Sequence, residues 1–203
     1  YQKMYAMKLI LLEYVCRSSY KLIEINQKHK LLAPGHVVLD IGCAPGSWSQ
    51  VCVNAVNSDN SFPNKPKGLV IGVDKLQIYP LESLIFFGNS DFTTIETQKK
   101  IMTALNGRKV NCVLSDMAPN ATGVKSMDQY NIMELANAVF NFAKIVSTAN
   151  SSLVVKVWSN GDLNKFVEKL KESYEVVKHV KPEASRGDSA EIFIVAKNYK
   201  TIN

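Results

Sequence analysis

Short runs of apolar and β-branched residues recur along the chain, and segments with helical spacing separate most of them. Runs of this kind are typical of β-strands. They fall at residues 37–41, 68–74, 84–87, 110–116, 152–158, 176–181 and 191–196. The clearest helical segment is 128–146, where apolar side chains recur at steps of three and four residues. The pattern therefore predicts strands and helices in alternation.

This alternation predicts an α/β fold: a Rossmann-like, doubly wound, mostly parallel sheet of seven strands with helices on both faces. Only residues 183–190 separate the last two strands, too few for a crossover helix, so we expect an antiparallel pair at the C-terminal edge. The polar, proline-containing segment 57–67 predicts a loop. Because no domain boundary is visible, we expect one domain, 1–203, with a helical extension over 1–30 and a catalytic core over 31–203.

The segment 37–50, VVLDIGCAPGSWSQ, predicts a strand, a tight turn and the start of a helix. A glycine-rich turn at this point lets a ligand approach bare backbone, and the helix start offers free N–H donors. Ala44 and Pro45 stand where the dinucleotide-binding pattern G-x-G-x-x-G needs close approach, so we expect S-adenosylmethionine rather than NAD. The candidate cofactor-binding residues in this segment are Asp40, Gly42, Ala44, Pro45, Gly46 and Trp48. Packing of the first helix is the alternative role for Trp48.

Acidic residues end several of the predicted strands. Asp40, Asp74 and Asp116 stand at the carboxyl ends of three of them, and these ends share one edge of a parallel sheet. Asp74, after the second strand, suits a ribose diol, because a carboxylate can accept from both hydroxyls. Asp91, which follows another strand, is a candidate for the adenine amino group; a helix N-cap before residues 93–105 is the alternative.

The chain carries a formal net charge of +6. This charge favours a polyanionic partner such as nucleic acid, although a merely basic protein would show the same balance. No apolar run approaches the roughly 18 residues of a membrane span. The chain begins at Tyr1 rather than at a methionine, which leaves open an upstream targeting segment.

Cysteines and histidines are scattered. No C-x-x-C spacing is present, so we expect reduced cysteines and a reducing compartment. The cysteines are Cys16, Cys43, Cys52 and Cys112. The histidines lack ligand spacing, and we expect no metal site. They are His29, His36 and His179.

Four motifs in order resemble those of the FtsJ/RrmJ ribose 2′-O-methyltransferases, and the resemblance extends over residues 17–199. They are D-x-G-x-A-P-G-x-W at 40–48, SDMAPN at 115–120, VVKVW at 154–158 and KPEASR…E at 181–191. Within the family, the chain looks most similar to the mitochondrial branch that modifies large-subunit ribosomal RNA. The resemblance implies an S-adenosylmethionine-dependent, metal-independent monomer that methylates the 2′-hydroxyl of a uridine in that RNA. It also implies a mitochondrial location, with the cytoplasm or another organelle as alternatives.

The family's catalytic tetrad falls here on Lys21, Asp116, Lys156 and Glu191, and Asp116 is also expected beside the cofactor. Lys156 lies in an apolar strand, where an ammonium is costly unless it is paired. A nearby cation, Lys21, would lower the pKa of such a lysine and make it a base, whereas the two acids would oppose this change. We expect Lys156 to orient or deprotonate the hydroxyl, with the acids holding it; which residue is the base stays open.

RNA contact is expected from Lys21, Lys181 and Arg186, with solvated loop charges as the alternative for the last two. The N-terminal segment departs from the family pattern, because Ser18 and Ser19 replace the usual Ser-Arg-Ala. This change weakens the expectation that the N-terminus docks RNA. Two other functions remain open: 2′-O-methylation in the tRNA anticodon loop, and a non-catalytic ribosome-assembly factor that binds RNA.

Overall fold

The structure, a computed structural model, describes residues 14–119, 122–159, 163–185 and 189–201. Its strands are β1 (Val37–Ile41), β2 (Leu69–Val73), β3 (Leu84–Phe87), β4 (Val110–Ser115), β5 (Ser147–Trp158), β6 (Tyr174–Val180) and β7 (Glu191–Tyr199). Its helices are α1 (Ser18–His29), α2 (Ser47–Val56), α3 (Ile95–Leu105), α4 (Lys125–Val146) and α5 (Leu163–Ser173). No helix in this described part is long and apolar enough to cross a membrane.

The strands form one sheet in the order β3-β2-β1-β4-β5-β7-β6. Neighbours from β3 to β5 are parallel, and β7 is antiparallel to both β5 and β6. The predicted antiparallel C-terminal pair is confirmed, although β7 lies between β5 and β6 rather than at the edge. After β5, the connection through α5 leads to β6, which lies two strand positions away. The last strand, β7, then occupies the position between β5 and β6.

Two apolar cores cover the two faces of the sheet, so the predicted helices on both faces are confirmed. One face is covered by α1 and α2, whose buried side chains include Leu22, Ile25 and Val53. The other face is covered by α3, α4 and α5, with Ile101 and Phe140 among the buried side chains. Strand residues alternate between the two cores, as the pleat of a sheet requires.

Element boundaries differ from the predictions at a few places. The helix expected over 93–105 begins at Ile95, and its N-cap is Thr94, whose side chain accepts a hydrogen bond from Thr97 N. The alternative role of Asp91 as the N-cap is therefore wrong. The predicted loop 57–67 is confirmed, and the Asn57 side-chain amide holds it through three backbone carbonyls. All four cysteines are free, as predicted.

Candidate active site

The strand order opens a crevice between β1 and β4. The chain runs from β1 outward to β2 and β3, and β4 then lies on the other side of β1. In open α/β sheets, ligands bind at such a point, outside the carboxyl ends of the strands. Asp40 lies near the end of β1, and Asp116 directly follows β4. Predicted cofactor and tetrad residues therefore meet at one crevice.

Two glycines give the turn between β1 and α2 its shape. Gly42 and Gly46 have φ angles of 76° and 105°, in the left-handed region that favours glycine. A side chain at Gly42 would also overlap Met117, in the segment after β4. Gly46 is the N-cap of α2, so the turn leads directly to the first N–H groups of that helix. The turn thus combines close packing with backbone donors.

Asp74 fixes this turn. Its Oδ2 accepts a hydrogen bond from Ala44 N at 2.9 Å, and its Oδ1 accepts one from Leu76 N at 2.8 Å. The Ala44–Pro45 peptide bond that follows is cis. Each carboxylate oxygen has more than one acceptor site, so Asp74 retains capacity for ribose hydroxyls.

Asp40 has no exposed surface. Ser49 Oγ, on α2, donates to Asp40 Oδ2 at 2.7 Å, whereas Oδ1 has no hydrogen-bond partner. Burial raises the pKa of Asp40 to about 7; the bond from Ser49 opposes this rise, and the charges of Asp116 and Asp74 add to it. An enclosed side chain cannot touch a ligand in this conformation. Asp40 therefore holds α2 beneath the glycine turn between β1 and α2.

Carboxylates lie close together at the crevice, and one of them, that of Asp116, is already paired with Lys156. The carboxylates of Asp74 and Asp116 are near enough to Asp40 to raise its pKa. S-adenosylmethionine carries a sulfonium and an amino group, so its binding would reduce this repulsion. The carboxylates and the glycine turn thus fit the predicted cofactor. Among the described residues, no group of three or more His, Cys, Asp or Glu side chains could hold a metal ion.

Asp91 lies after β3 and already has several partners. Its Oδ1 accepts from Thr93 N and Thr93 Oγ1, and its Oδ2 is 2.9 Å from Lys75 Nζ. Burial alone would raise the pKa of Asp91, but the bonds from Lys75 and Thr93 lower it. The carboxylate is therefore ionised at neutral pH, and an adenine amino group would share it with Lys75.

Trp48 is almost completely buried, with 2% of its surface exposed. Its ring packs against Phe193 at a centroid distance of 5.5 Å, and its Nε1 donates to the backbone oxygen of Ser18 at 2.9 Å. Little of the side chain is left to form a pocket wall. These contacts agree with the packing alternative and join α2 to α1 and β7.

Lys156 is the buried cation of the site, with 7% of its side chain exposed. It lies on the same face of the sheet as Val154, which packs in the core beneath α1 and α2. Its Nζ is 3.0 Å from Asp116 Oδ1 and donates to the Asp116 backbone oxygen at 2.6 Å. Glu191 Oε1 lies 3.7 Å away. The buried ammonium thus has two acidic partners and a carbonyl.

Glu191 joins the two lysines. Its other oxygen, Oε2, accepts from Lys21 Nζ at 3.2 Å, and Lys21 lies over the Phe193 ring. Burial would raise the pKa of Glu191, but Lys156 and Lys21 hold it below the ordinary value. The structure therefore brings all four predicted tetrad residues into one connected network.

Lys181, one of the predicted RNA-contacting residues, directly follows β6. Lys181 Nζ donates to the backbone oxygen of Ser189 at 3.0 Å, while Arg186 lies outside the described residues. The loop between β6 and β7 is bound to α1, because the Glu24 carboxylate accepts from the backbone N–H groups of Glu183 and Ala184. Lys21 and this loop are therefore held on the same side of the site.

Sequence reasoning missed two serines at the site. Ser49 supports Asp40 from α2, and Ser18 Oγ donates to Asp116 Oδ2 at 2.9 Å. Ser18 and Asp116 are 98 positions apart, so no local pattern joins them. The one signal for Ser18 was its departure from the family pattern close to Lys21.

The Rossmann-like sheet with an acid-lined crevice at its strand ends fits a methyltransferase, and the family comparison establishes this class. The chain belongs to the FtsJ-like methyltransferase family, whose profile matches residues 14–199. The family resemblance and the Rossmann-like α/β fold predicted from the sequence are both confirmed.

Named relatives are similar over nearly the whole chain. It is 48% identical to "rRNA methyltransferase 2, mitochondrial" from Drosophila melanogaster, over 97% of this chain and 78% of the relative. It is 40% identical to "Ribosomal RNA large subunit methyltransferase E" from Acinetobacter baumannii, over 92% of this chain and 82% of the relative. The crystal structure of a ribosomal RNA methyltransferase from Plasmodium falciparum superposes with a TM-score of 0.80 and 29% identity, covering 92% of this chain and 98% of that one.

Proposed function

We propose that this protein transfers a methyl group from S-adenosylmethionine to the 2′-hydroxyl of a ribose, in a uridine of large-subunit ribosomal RNA. The observation that carries the proposal is the position of Lys156. Its buried Nζ lies 3.0 Å from Asp116 Oδ1, and Asp116 directly follows β4 at the cofactor crevice. A buried, paired cation beside the crevice supports the proposal that the methyl donor and the acceptor ribose hydroxyl meet next to Lys156.

The reaction requires a group that accepts the hydroxyl proton, because a ribose hydroxyl is a poor nucleophile. Lys156 is assigned to orient the hydroxyl and to receive this proton when its ammonium is deprotonated. Asp116 and Glu191 hold its Nζ in place, 3.0 and 3.7 Å away. Lys21 adds a second positive charge through its ion pair with Glu191.

When bound, S-adenosylmethionine supplies an electrophilic methyl group on a sulfonium. Asp74 is assigned to the cofactor ribose, and Asp91 to its adenine amino group. The backbone of Gly42, Ala44, Pro45 and Gly46 would hold the remainder of the cofactor against the end of β1. The chain thus contributes chiefly alignment, a term that can supply several kcal/mol of the barrier reduction.

The proposed substrate follows from the named relatives and from charge. The names of the fly and Acinetobacter proteins specify ribosomal RNA, and the latter specifies the large subunit. The net charge of +6 suits such a polyanion. We further propose that the protein acts in mitochondria, as the name of the fly relative suggests, and as a single-domain monomer on the large ribosomal subunit.

The test is transfer of tritiated methyl groups to isolated large subunits, free ribosomal RNA and tRNA, with mapping of the 2′-O-methylated positions. Lys156→Met keeps an unbranched side chain but removes the charge, and we expect it to reduce transfer at least about 100-fold. Lys178→Met removes an exposed strand lysine and serves as the matched control.

Three outcomes would change the proposal. Full activity of Lys156→Met would remove its catalytic assignment. Label on tRNA alone would move the substrate to the anticodon loop. Absence of label with S-adenosylmethionine bound would favour the assembly factor.

A further inference from the structure

Ser18, the first residue of α1, contacts both sides of the active site. Its hydroxyl donates to Asp116 Oδ2 at 2.9 Å, and its backbone oxygen accepts from Trp48 Nε1 at 2.9 Å. Asp116 belongs to the proposed tetrad, whereas Trp48 lies on α2, the helix that follows the cofactor turn. One serine therefore joins the cofactor-side helix to an acid of the tetrad.

The contacts of Asp116 explain why this hydroxyl matters. Lys156 Nζ is 3.0 Å from Asp116 Oδ1, but this pair does not meet hydrogen-bond geometry, although Nζ also donates to the backbone oxygen of the same residue. Lys156 thus attracts the carboxylate by charge, which depends little on direction. The bond from Ser18 supplies the direction, since hydrogen bonds to carboxylates are short and depend strongly on angle.

We propose that Ser18 is a positioning residue for methyl transfer, which fixes the orientation of the Asp116 carboxylate and thereby the position of Lys156 Nζ. The inference rests on the proposed function, because it acts through two members of the tetrad. Ser18 does not touch the reacting groups. Its hydroxyl makes the alignment of the tetrad depend on the docking of α1, which also carries Lys21.

Neighbouring Ser19 offers a matched control. Its hydroxyl, on the same turn of α1, donates to the backbone oxygen of Cys16 at 2.7 Å rather than to the site. Alanine is a better helix former than serine, so neither Ser18→Ala nor Ser19→Ala should weaken α1 through helix propensity. A difference between the two variants therefore reports the bond to Asp116.

The experiment compares kcat, the KM for S-adenosylmethionine and the melting temperature of Ser18→Ala, Ser18→Thr and Ser19→Ala. We expect Ser18→Ala to lower kcat about tenfold with its KM unchanged, since a hydrogen bond to a charged group is worth roughly that factor. Ser18→Thr, which keeps a hydroxyl, and Ser19→Ala should stay near the wild-type kcat. An unchanged kcat in Ser18→Ala, or an equal loss in Ser19→Ala, would overturn the proposal.

A double-mutant cycle with Asp116→Ala, which removes the acceptor of the Ser18 hydroxyl, is measured in single turnovers and tests the route of the effect. If Ser18 acts through the carboxylate, removal of its hydroxyl should have little further effect in the Asp116→Ala background. A full additional loss would contradict this route. The proposed function would instead be refuted if the wild-type protein transferred no methyl group or if Lys156→Met were active. If Lys156→Met were inactive but Ser18→Ala kept the wild-type kcat, only the positioning role of Ser18 would be refuted.

Discussion

Lys156 and Glu191 lie diagonally across two antiparallel strands, with Lys156 Nζ 3.7 Å from Glu191 Oε1. In the register of β5 and β7, Lys156 is paired with Phe193, and Glu191 with Trp158. A diagonal offset of two residues keeps both side chains on one face, within reach of long side chains. A slip of one residue would move one of them to the opposite face. The relative position of this pair is therefore set by the sheet.

Glu191→Gln should change how stability depends on pH. The pKa of Glu191 is lower in the folded protein than its ordinary value of 4.5, although burial alone would raise it, because Lys156 and Lys21 favour the carboxylate. Its contribution to stability is thus present above the ordinary value and lost as the pH falls through the lowered one. We expect the variant to be less stable near neutral pH by about 1 to 3 kcal/mol.

The measurement is urea unfolding at a series of pH values from about 7 to about 3. The unfolding free energy of Glu191→Gln should fall less steeply on acidification than that of the wild type. Parallel curves for the two proteins would contradict the ionised, lysine-bound state of Glu191.

Asp40→Asn should raise the stability of the protein at neutral and alkaline pH, whereas Glu191→Gln should lower it. Burial raises the pKa of Asp40 from 3.8 to about 7, so its folded state is stabilised by protonation, and stability declines as the pH rises between these values. Asparagine stays neutral and can still accept from Ser49. The variant should therefore be more stable than wild type near pH 8 by at most about 4 kcal/mol, from 1.4 kcal/mol per pH unit. Thermal melts at about pH 5 and 8 should show that gain shrinking at the lower pH; an equal gain would contradict it.

Much of the fold follows from the sequence, because strands buried in a parallel sheet are continuous apolar runs. The same reasoning finds Lys156, whose charge interrupts such a run in β5. The exact start of α3 was not predictable in this way. Asp91, Thr93 and Thr94 can each bond local backbone groups, and packing decides which of them caps the helix.

The supporting residues of the site depend on tertiary contacts instead. Ser18 reaches Asp116 only because α1 docks across the end of β4, a contact between segments 98 positions apart. Trp48 has the aromatic character of a pocket wall, yet the approach of α1 and Phe193 buries it. Composition and spacing specify neither approach.

Lys181→Ala should weaken RNA binding in a salt-dependent way. Lys181 lies beside the loop that α1 holds next to the tetrad, where a phosphate contact would release about one counterion. We expect the slope of log K against log salt to decrease by roughly one. Lys99→Ala removes the same charge from an exposed position on α3, which covers the other face of the sheet, and is the control. Equal slopes for both variants, measured by filter binding to ribosomal RNA fragments, would remove Lys181 from the RNA surface.

Gly42→Ala and Gly107→Ala separate the steric demand of the cofactor turn from backbone strain. Both glycines have similar positive φ angles, 76° and 79°, so alanine should cost each about 1 kcal/mol of stability. Only at Gly42 does the added methyl group collide with Met117; at Gly107 nothing lies within 4 Å. We therefore expect Gly42→Ala to lose at least about tenfold in affinity for S-adenosylhomocysteine, because displacing the turn needs to weaken the binding free energy by only about 1.4 kcal/mol for that factor. Gly107→Ala should bind normally. Titration calorimetry measures both, and wild-type affinity in Gly42→Ala would place the cofactor away from this turn.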